Sequence, residues 1–319
     1  MARQAVRQPL ERSARVRALA KINLDLRVLG KRADGYHELR TVFQTISLAD
    51  RLEISFVPGR KKLVEIIDPL EIPKNLAGEA AAMVLDAMGT KGRVSIRLNK
   101  RIPMGAGLGG GSSDAAAVLL ALPALAGREL PLARLCELAA ALGSDVPFFL
   151  WGGRAIGIGR GTELFPLPDG PSRAGILITP PVQVSTAEAY RELSGGLTTE
   201  LQDRKIMGFQ SLVWDGGVSR EVQNDFEPVV FARERSLARL KGRLLRAGAG
   251  TALMSGSGSS LFGLFADSAS ARTALNSFGR DRAHPISLVN RAQYRGIWWR
   301  ALKEHIEPKT WPPRSRYAQ

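Results

Sequence analysis

Pro103-Met104-Gly105-Ala106-Gly107-Leu108-Gly109-Gly110-Gly111-Ser112-Ser113-Asp114 is the stretch on which the reading of this chain turns. Ahead of it, Val94-Ser95-Ile96-Arg97-Leu98 alternates apolar and polar side chains, the pattern of a half-buried strand. Behind it, Ala115-Ala116-Ala117-Val118-Leu119-Leu120 is strong helix-forming sequence, with Ser112, Ser113 or Asp114 as the expected N-cap. A glycine loop that opens a helix brings backbone N–H groups close to an anion, and the helix dipole adds positive potential there. A phosphate-rich ligand is the expected guest. A flexible turn also uses glycine, but turns seldom need five at one helix start.

Two familiar phosphate loops fail here. A P-loop requires Lys followed by Ser or Thr after its last glycine, whereas Gly111 is followed by Ser112-Ser113. The spacing Gly105-x-Gly107-x-x-Gly110 fits a dinucleotide fingerprint, which also demands a second strand ending in an acidic residue. The chain instead continues into a second helical pattern over 131–142.

The loop does match the ATP-binding pattern of the GHMP small-molecule kinases, roughly Pro-x-x-x-Gly-Leu-Gly-(x)-Ser-Ser. Three further segments fall into that family's order: Ala20-Lys21-Ile22-Asn23-Leu24, Gly143-Ser144-Asp145-Val146-Pro147-Phe148-Phe149, and Met254-Ser255-Gly256-Ser257-Gly258-Ser259-Ser260. The chain therefore resembles the GHMP kinases over roughly residues 18–265. Gly30-Lys31-Arg32-x-Asp34-Gly35-Tyr36-His37-Glu38-Leu39 is similar to the branch that acts on 4-diphosphocytidyl-2-C-methyl-D-erythritol, in the non-mevalonate isoprenoid route. One departure is Leu19, where the family usually has Pro before its Ala-Lys.

The resemblance implies an α+β, two-domain fold, with an N-terminal domain like ribosomal protein S5 domain 2 and a C-terminal ferredoxin-like one. It implies ATP and Mg²⁺, and phosphorylation of the substrate's 2-hydroxyl. Asp145 is then the base that accepts the hydroxyl proton, and Lys21 orients it and offsets developing charge. Residues Pro103 to Ser113 are expected on ATP. Ser112 and Ser113 would also touch Mg²⁺, whose remaining ligands the sequence leaves open. Tyr36, His37 and Tyr190 are expected at the cytosine, with Thr186 in the Tyr190 segment. Ser255, Gly256, Ser257 and Gly258 are expected to close against the ATP loop or the substrate phosphates. Asn23 shares a strand face with Lys21 by the period of two, which fits a phosphate or hydroxyl contact and also a solvated face.

Length and composition agree with an intracellular enzyme. At 319 residues and 45% hydrophobic, the chain can bury a sizeable core and is expected to split in two. Residues 166–175 have linker composition, giving domains of 1–170 and 171–319, the second ending in a basic, Trp-containing tail. The apolar stretch Ala115–Leu125 is too short to span a membrane and contains Pro123. Residues 1–17 carry Arg3, Arg7, Arg12, Arg15 and Arg17 without the apolar segment of a secretory signal. The single cysteine, Cys136, forms no intramolecular disulfide, suits a reducing cytoplasm and is expected as a buried small hydrophobe. With three histidines and one cysteine, no zinc-ligand spacing exists.

Strands in series followed by helices suggest α+β layering. Strands are expected over 16–30, 41–48, 51–57, 63–67, 94–98, 146–150, 154–158 and from 176, and helices over 75–88 and 131–142. Tyr294, Ile297, Trp298, Ala301 and Leu302 fall on one face of a docked helix, and 307–319 is expected as an extended end.

The net charge of +15 suits phosphorylated ligands, but arginine enrichment on a solvated face explains it equally well. The alternatives are a GHMP kinase for homoserine, a sugar or a mevalonate-type alcohol, and, in another class, a basic RNA-binding protein. The Asp34-Gly35-Tyr36-His37 turn weighs against the first, since those substrates offer no base to read. The second predicts salt-sensitive binding with no need of Asp145 and leaves the glycine loop unexplained. A monomer or homodimer with no membrane partner is expected.

Overall fold

A long hairpin organises the molecule. In the computed structural model, which describes residues 10–194, 199–215, 222–279, 281–307 and 309–318, β1 (Arg12–Lys31) pairs antiparallel with β2 (His37–Pro58). Arg3, Arg7 and Pro308 lie outside the described residues. Then come β3 (Leu63–Ile67), α1 (Leu76–Ala87), β4 (Gly92–Asn99), α2 (Gly110–Ala126), α3 (Leu132–Leu142), α4 (Val146–Trp151), β5 (Arg154–Gly159) and β6 (Glu163–Pro166). The first sheet runs β3-β4-β2-β5-β6, with β1 also on β2.

The second half comprises β7 (Ala174–Ile178), α5 (Thr186–Ser194), α6 (Thr199–Trp214), α7 (Glu227–Arg233), α8 (Arg235–Arg246), β8 (Thr251–Met254), β9 (Leu261–Leu264), α9 (Ser268–Leu275), β10 (Ala283–Ser287) and α10 (Arg291–Leu302). Its sheet is ordered β10-β7-β9-β8. Counted within this half, that is 4-1-3-2 with helices in the first and last crossovers, the split βαβ arrangement of ferredoxin-like domains.

Alternation along β1 holds only at its start. From Ala18 to Leu29 every residue is buried, because this part of the strand passes between the two halves. Ala20, Ile22 and Leu24 pack there with Val42, Leu177, Phe209, Phe262 and Leu288, joining both halves in one apolar layer. Each of the larger side chains among these contributes roughly 1.5–3 kcal/mol. Helix α2 is buried on all sides and runs through Pro123 to Ala126; packing overrides the local break. α10 returns to the first half, burying Tyr294, Trp298 and Leu302 in its core. The end beyond it folds back, Trp311 Nε1 donating to the Leu150 carbonyl at 3.1 Å. Cys136 is half-buried against that core, which pushes its thiol up.

Three expectations need correction. Val146–Leu150 is helical, not a strand; Pro147 sits in the first turn, where its missing N–H is harmless. The strands expected over 41–48 and 51–57 are one, because Asp50 does not break it. Asp50 is buried and accepts from the N–H groups of Arg101 (2.5 Å) and Ile102 (2.8 Å), while its other oxygen meets Lys100 Nζ at 2.5 Å. The N-cap of α2 is Gly109, not Ser112, Ser113 or Asp114. Asp114 turns inward to Lys100 Nζ at 2.8 Å.

One ammonium thus serves two buried carboxylates where the glycine loop joins the fold. Burial, with the charge of Asp50 adding to it, pushes Asp114 up to about 7 against the pull of Lys100. The proton it holds in the folded protein stabilises the fold below the ordinary carboxylate value, and that contribution is lost as pH rises through about 7. Urea midpoints at pH 5 and pH 8 should therefore show wild type losing stability as pH rises. Asp114→Asn should flatten that loss, and an unchanged slope would place the titration elsewhere.

Candidate active site

The glycine loop owes its shape to left-handed backbone. Gly105, Gly107 and Gly109 have φ of 65°, 75° and 69°. At Gly107 a Cβ would lie 2.1 Å from the carbonyl oxygen of Ser255, so only glycine lets the third loop, residues 254–260, approach this closely. Ser255 Oγ donates to the Gly107 carbonyl at 2.9 Å, and the Ser260 N–H reaches the Ala106 carbonyl at 3.4 Å. The loop is also tied to β1, where Lys21 N–H donates to the Leu108 carbonyl at 3.0 Å.

Register shifts flank Lys21 on β1, between Leu19 and Lys21 and between Asn23 and Asp25. Such bulges re-aim side chains, and here Lys21 Nζ stands 3.4 Å from Asp145 Oδ2. Lys21 is buried, whereas the Asp145 side chain is 33% exposed at the start of α4. Lys21 Nζ also donates to Asn23 Oδ1 at 2.8 Å. That same oxygen accepts from the Gly256 N–H at 3.0 Å, and Asn23 Nδ2 donates to Thr41 Oγ1 at 2.8 Å. Asn23 therefore braces the lysine against the third loop as well as facing the cavity.

Two cavities of about 390 Å³ each meet at the glycine loop, sharing Gly105, Gly107, Gly109 and Ser112. One contains Lys21, Asn23, Asp145 and Tyr190; the other extends along Asn75, Leu76 and Ile102. Pro103, Met104, Ala106, Leu108, Gly110 and Gly111 line the second cavity. Ser113 lines neither: it is buried, and its hydroxyl donates to the Leu19 carbonyl at 2.7 Å. Gly256 and Ser257 face the first cavity, and Ser257 Oγ hydrogen-bonds Thr186 Oγ1 at 2.7 Å. Ser255 and Gly258 stand behind, Ser255 against the glycine loop and Gly258 over Met254.

At the far end of the first cavity, His37 stacks on Tyr190 with centroids 4.4 Å apart and planes at 23°. Tyr190 packs edge-on against Phe226 at 4.8 Å. Burial, and then the charge of Lys31, holds the His37 imidazole below its ordinary value, so near pH 7 it offers one donor and one acceptor. Burial, with Asp145 next, pushes the Tyr190 phenol up and keeps it neutral. Neither His37 nor Tyr36 lines the cavity wall: His37 adjoins it through its stack on Tyr190, whereas Tyr36 is 49% exposed and lies under the Arg160 guanidinium at 3.5 Å.

Sequence reasoning missed Thr41, Asn224 and Arg160. Asn224 Nδ2 donates to the carbonyls of Met254 (2.7 Å) and Gly256 (2.8 Å), shaping the third loop from 30 residues away. No local pattern marks such a long-range contact. Arg160 had a signal, a cation between Gly159 and Gly161 after a strand.

Residues 75–153 match the GHMP kinases N terminal domain, and residues 215–283 match the GHMP kinases C terminal domain. A 4-diphosphocytidyl-2-C-methyl-D-erythritol kinase of Solibacter usitatus (strain Ellin6076) is 61% identical over 310 residues, covering 96% of this chain and 98% of that protein. The chain belongs to the 4-diphosphocytidyl-2-C-methyl-D-erythritol kinase branch of the GHMP kinases. This kinase is also 45% identical over 260 residues to the enzyme of that name from Pelotomaculum thermopropionicum (strain DSM 13744 / JCM 10971 / SI), covering 80% of this chain and 90% of that one. A crystal structure of 4-(cytidine 5'-diphospho)-2C-methyl-D-erythritol kinase superposes with a TM-score of 0.72 at 40% identity, over 88% of this chain and 99% of that one. It is an ATP-dependent small-molecule kinase. Among the described residues no helix is long and apolar enough to cross a membrane.

The Gly107–Ser255 contact yields a direct expectation. Gly107→Ala should push the two loops apart and weaken binding of a non-hydrolysable ATP analogue roughly 10–100-fold, the effect of about 1–3 kcal/mol of local strain. Far-UV circular dichroism should stay unchanged. Unaltered affinity would show that this contact does not shape the nucleotide site.

Proposed function

We propose that this kinase transfers the γ-phosphoryl group of ATP to the 2-hydroxyl of 4-diphosphocytidyl-2-C-methyl-D-erythritol at the Lys21–Asp145 pair. The observation that carries this reading is that Lys21 and Asp145, 3.4 Å apart, lie in a cavity sharing the glycine-loop wall with a second cavity. Two substrates entering from opposite sides would meet at that wall. The family uses ATP, and we place it in the cavity beside Asn75 and Leu76. The loop N–H groups and the start of α2 are its phosphate cradle.

Asp145 accepts the hydroxyl proton as the oxygen attacks the γ-phosphorus and the bond to the ADP oxygen breaks. Lys21, 3.4 Å away, orients the carboxylate and offsets charge on the transferring group. Positioned bases of this kind contribute about 10²–10⁴-fold. The cytosine is read at Tyr190 and His37, an aromatic face and a neutral imidazole edge. Tyr36, stacked under Arg160, acts through that guanidinium rather than on the base.

Mg²⁺ fits as a cation carried on the nucleotide phosphates. Among the described residues no three His, Cys, Asp or Glu gather to cage it, and the hydroxyl of Ser112, on the wall common to both cavities, and the carboxylate of Asp145, in the first cavity, are hard oxygen donors. When bound, it would neutralise phosphate charge. The reaction is placed in the cytoplasm, where ATP is supplied.

ADP release measured with the cytidylyl substrate beside homoserine, galactose and mevalonate should be confined to the first. Turnover of another alcohol would remove the substrate assignment. Asp145→Asn should lower turnover about 10²–10⁴-fold with ATP-analogue affinity nearly intact, and near-normal turnover would end the base role. Tyr190→Ala and His37→Ala should raise KM for the cytidylyl substrate far more than KM for ATP. Equal effects on both would make that end of the cavity structural.

A further inference from the structure

We propose that Arg160 binds the diphosphate of the cytidylyl substrate, an inference that rests on the substrate assignment above. Arg160 stands between β5 and β6, flanked by Gly159 and Gly161 at φ of 65° and 87°. It lines the cavity that holds Asp145 and Tyr190 and does not line the one beside Leu76.

The guanidinium is held without using its N–H groups. Its carbon lies 3.5 Å from the centroid of the Tyr36 ring, a stacked placement that fixes the plane while the donors stay in that plane. Among the described residues it has neither an ion pair nor a hydrogen bond, and its Nε is buried with no partner. The neighbouring guanidinium groups of Arg32 and Arg40 are engaged. Arg32 meets Glu38 at 2.6 Å and Asp34 at 3.2 Å, and Arg40 meets Glu38 at 2.5 Å. Asp34 feels the Arg160 charge, yet its oxygens are taken by Arg32 and the Tyr36 N–H.

A half-buried guanidinium with an unpartnered Nε is incomplete, since buried donors are costly unless paired. Its planar fork matches phosphate oxygens two at a time. With the base at Tyr190 and the hydroxyl at Asp145, the diphosphate is the part of the substrate that lies between them and carries the matching charge. The γ-phosphate of ATP is the less suitable partner, because Arg160 faces only the Asp145 side of the glycine loop.

Isothermal titration with CDP and with cytidine, in the presence of a saturating non-hydrolysable ATP analogue, tests this on the full chain. Wild type should bind CDP more tightly than cytidine. Arg160→Gln should weaken CDP about 10–100-fold, the range for a lost charge-assisted hydrogen bond, and leave cytidine unchanged. Arg160→Lys should fall between, retaining charge without the fork. In steady state the Arg160→Gln loss should appear as a raised KM for the cytidylyl substrate, with KM for ATP unmoved. Equal loss of CDP and cytidine, undiminished CDP affinity, or a loss confined to ATP would each overturn the proposal. The cytidine–CDP difference is read without turnover. A wild type that binds CDP through Arg160 but fails to phosphorylate the cytidylyl alcohol would refute the substrate assignment and not this site.

Discussion

The contact between Gly107 and Ser255 is the constraint on which the active site rests. A side chain at 107 would run into the Ser255 carbonyl at 2.1 Å, so two glycine-rich segments from opposite halves of the chain touch backbone to backbone. Their touching brings the start of α2 to Asn23, whose amide oxygen joins Lys21 to Gly256. The glycine loop, Lys21 and the third loop are therefore one hydrogen-bonded unit. Displacing any one of them moves the point where two substrates would meet.

The remaining architecture keeps that unit rigid. β1 is buried from Ala18 to Leu29 because both halves pack on it, and its bulges aim Lys21 at Asp145. Further along, Asp25 binds Arg27 at 2.9 Å and accepts from the Gln223 N–H at 3.0 Å. Asp225 accepts from the Val28 N–H at 2.8 Å. These polar ties hold the segment carrying Asn224 against β1, and Asn224 in turn shapes the third loop. Asp25 is fully buried in this seam, and that burial pushes its carboxyl up to about 6 even with Arg27 beside it.

Much of this was legible in the sequence, and the exceptions share a physical cause. The glycine loop, the Lys21 and Asp145 segments and the strands are local patterns; they gave the α+β layering directly, and the kinase family and its two domains through the resemblance the motifs carry. Val146–Leu150 misled because a short apolar run reads alike as a buried helix or a buried strand. Three hydroxyl- or carboxyl-bearing candidates stood beside the start of α2, yet Gly109 caps it. Ser113 and Asp114 instead serve buried partners that lie far away in sequence, Leu19 and Lys100. Asn224 and Thr41 were invisible for the same reason, since their roles exist only once β1 lies between the halves. Tyr36 and His37 were expected together at the base, but the structure separates them, with His37 stacked on Tyr190 and Tyr36 under Arg160.

The most direct measurement is a crystal structure of the kinase with 4-diphosphocytidyl-2-C-methyl-D-erythritol and a non-hydrolysable ATP analogue. The account predicts the 2-hydroxyl within about 3 Å of an Asp145 oxygen, hydrogen-bonding range for a general base, with the γ-phosphate in line across the glycine loop. A hydroxyl held away from Asp145, or a nucleotide seated in the cavity of Tyr190, would contradict it.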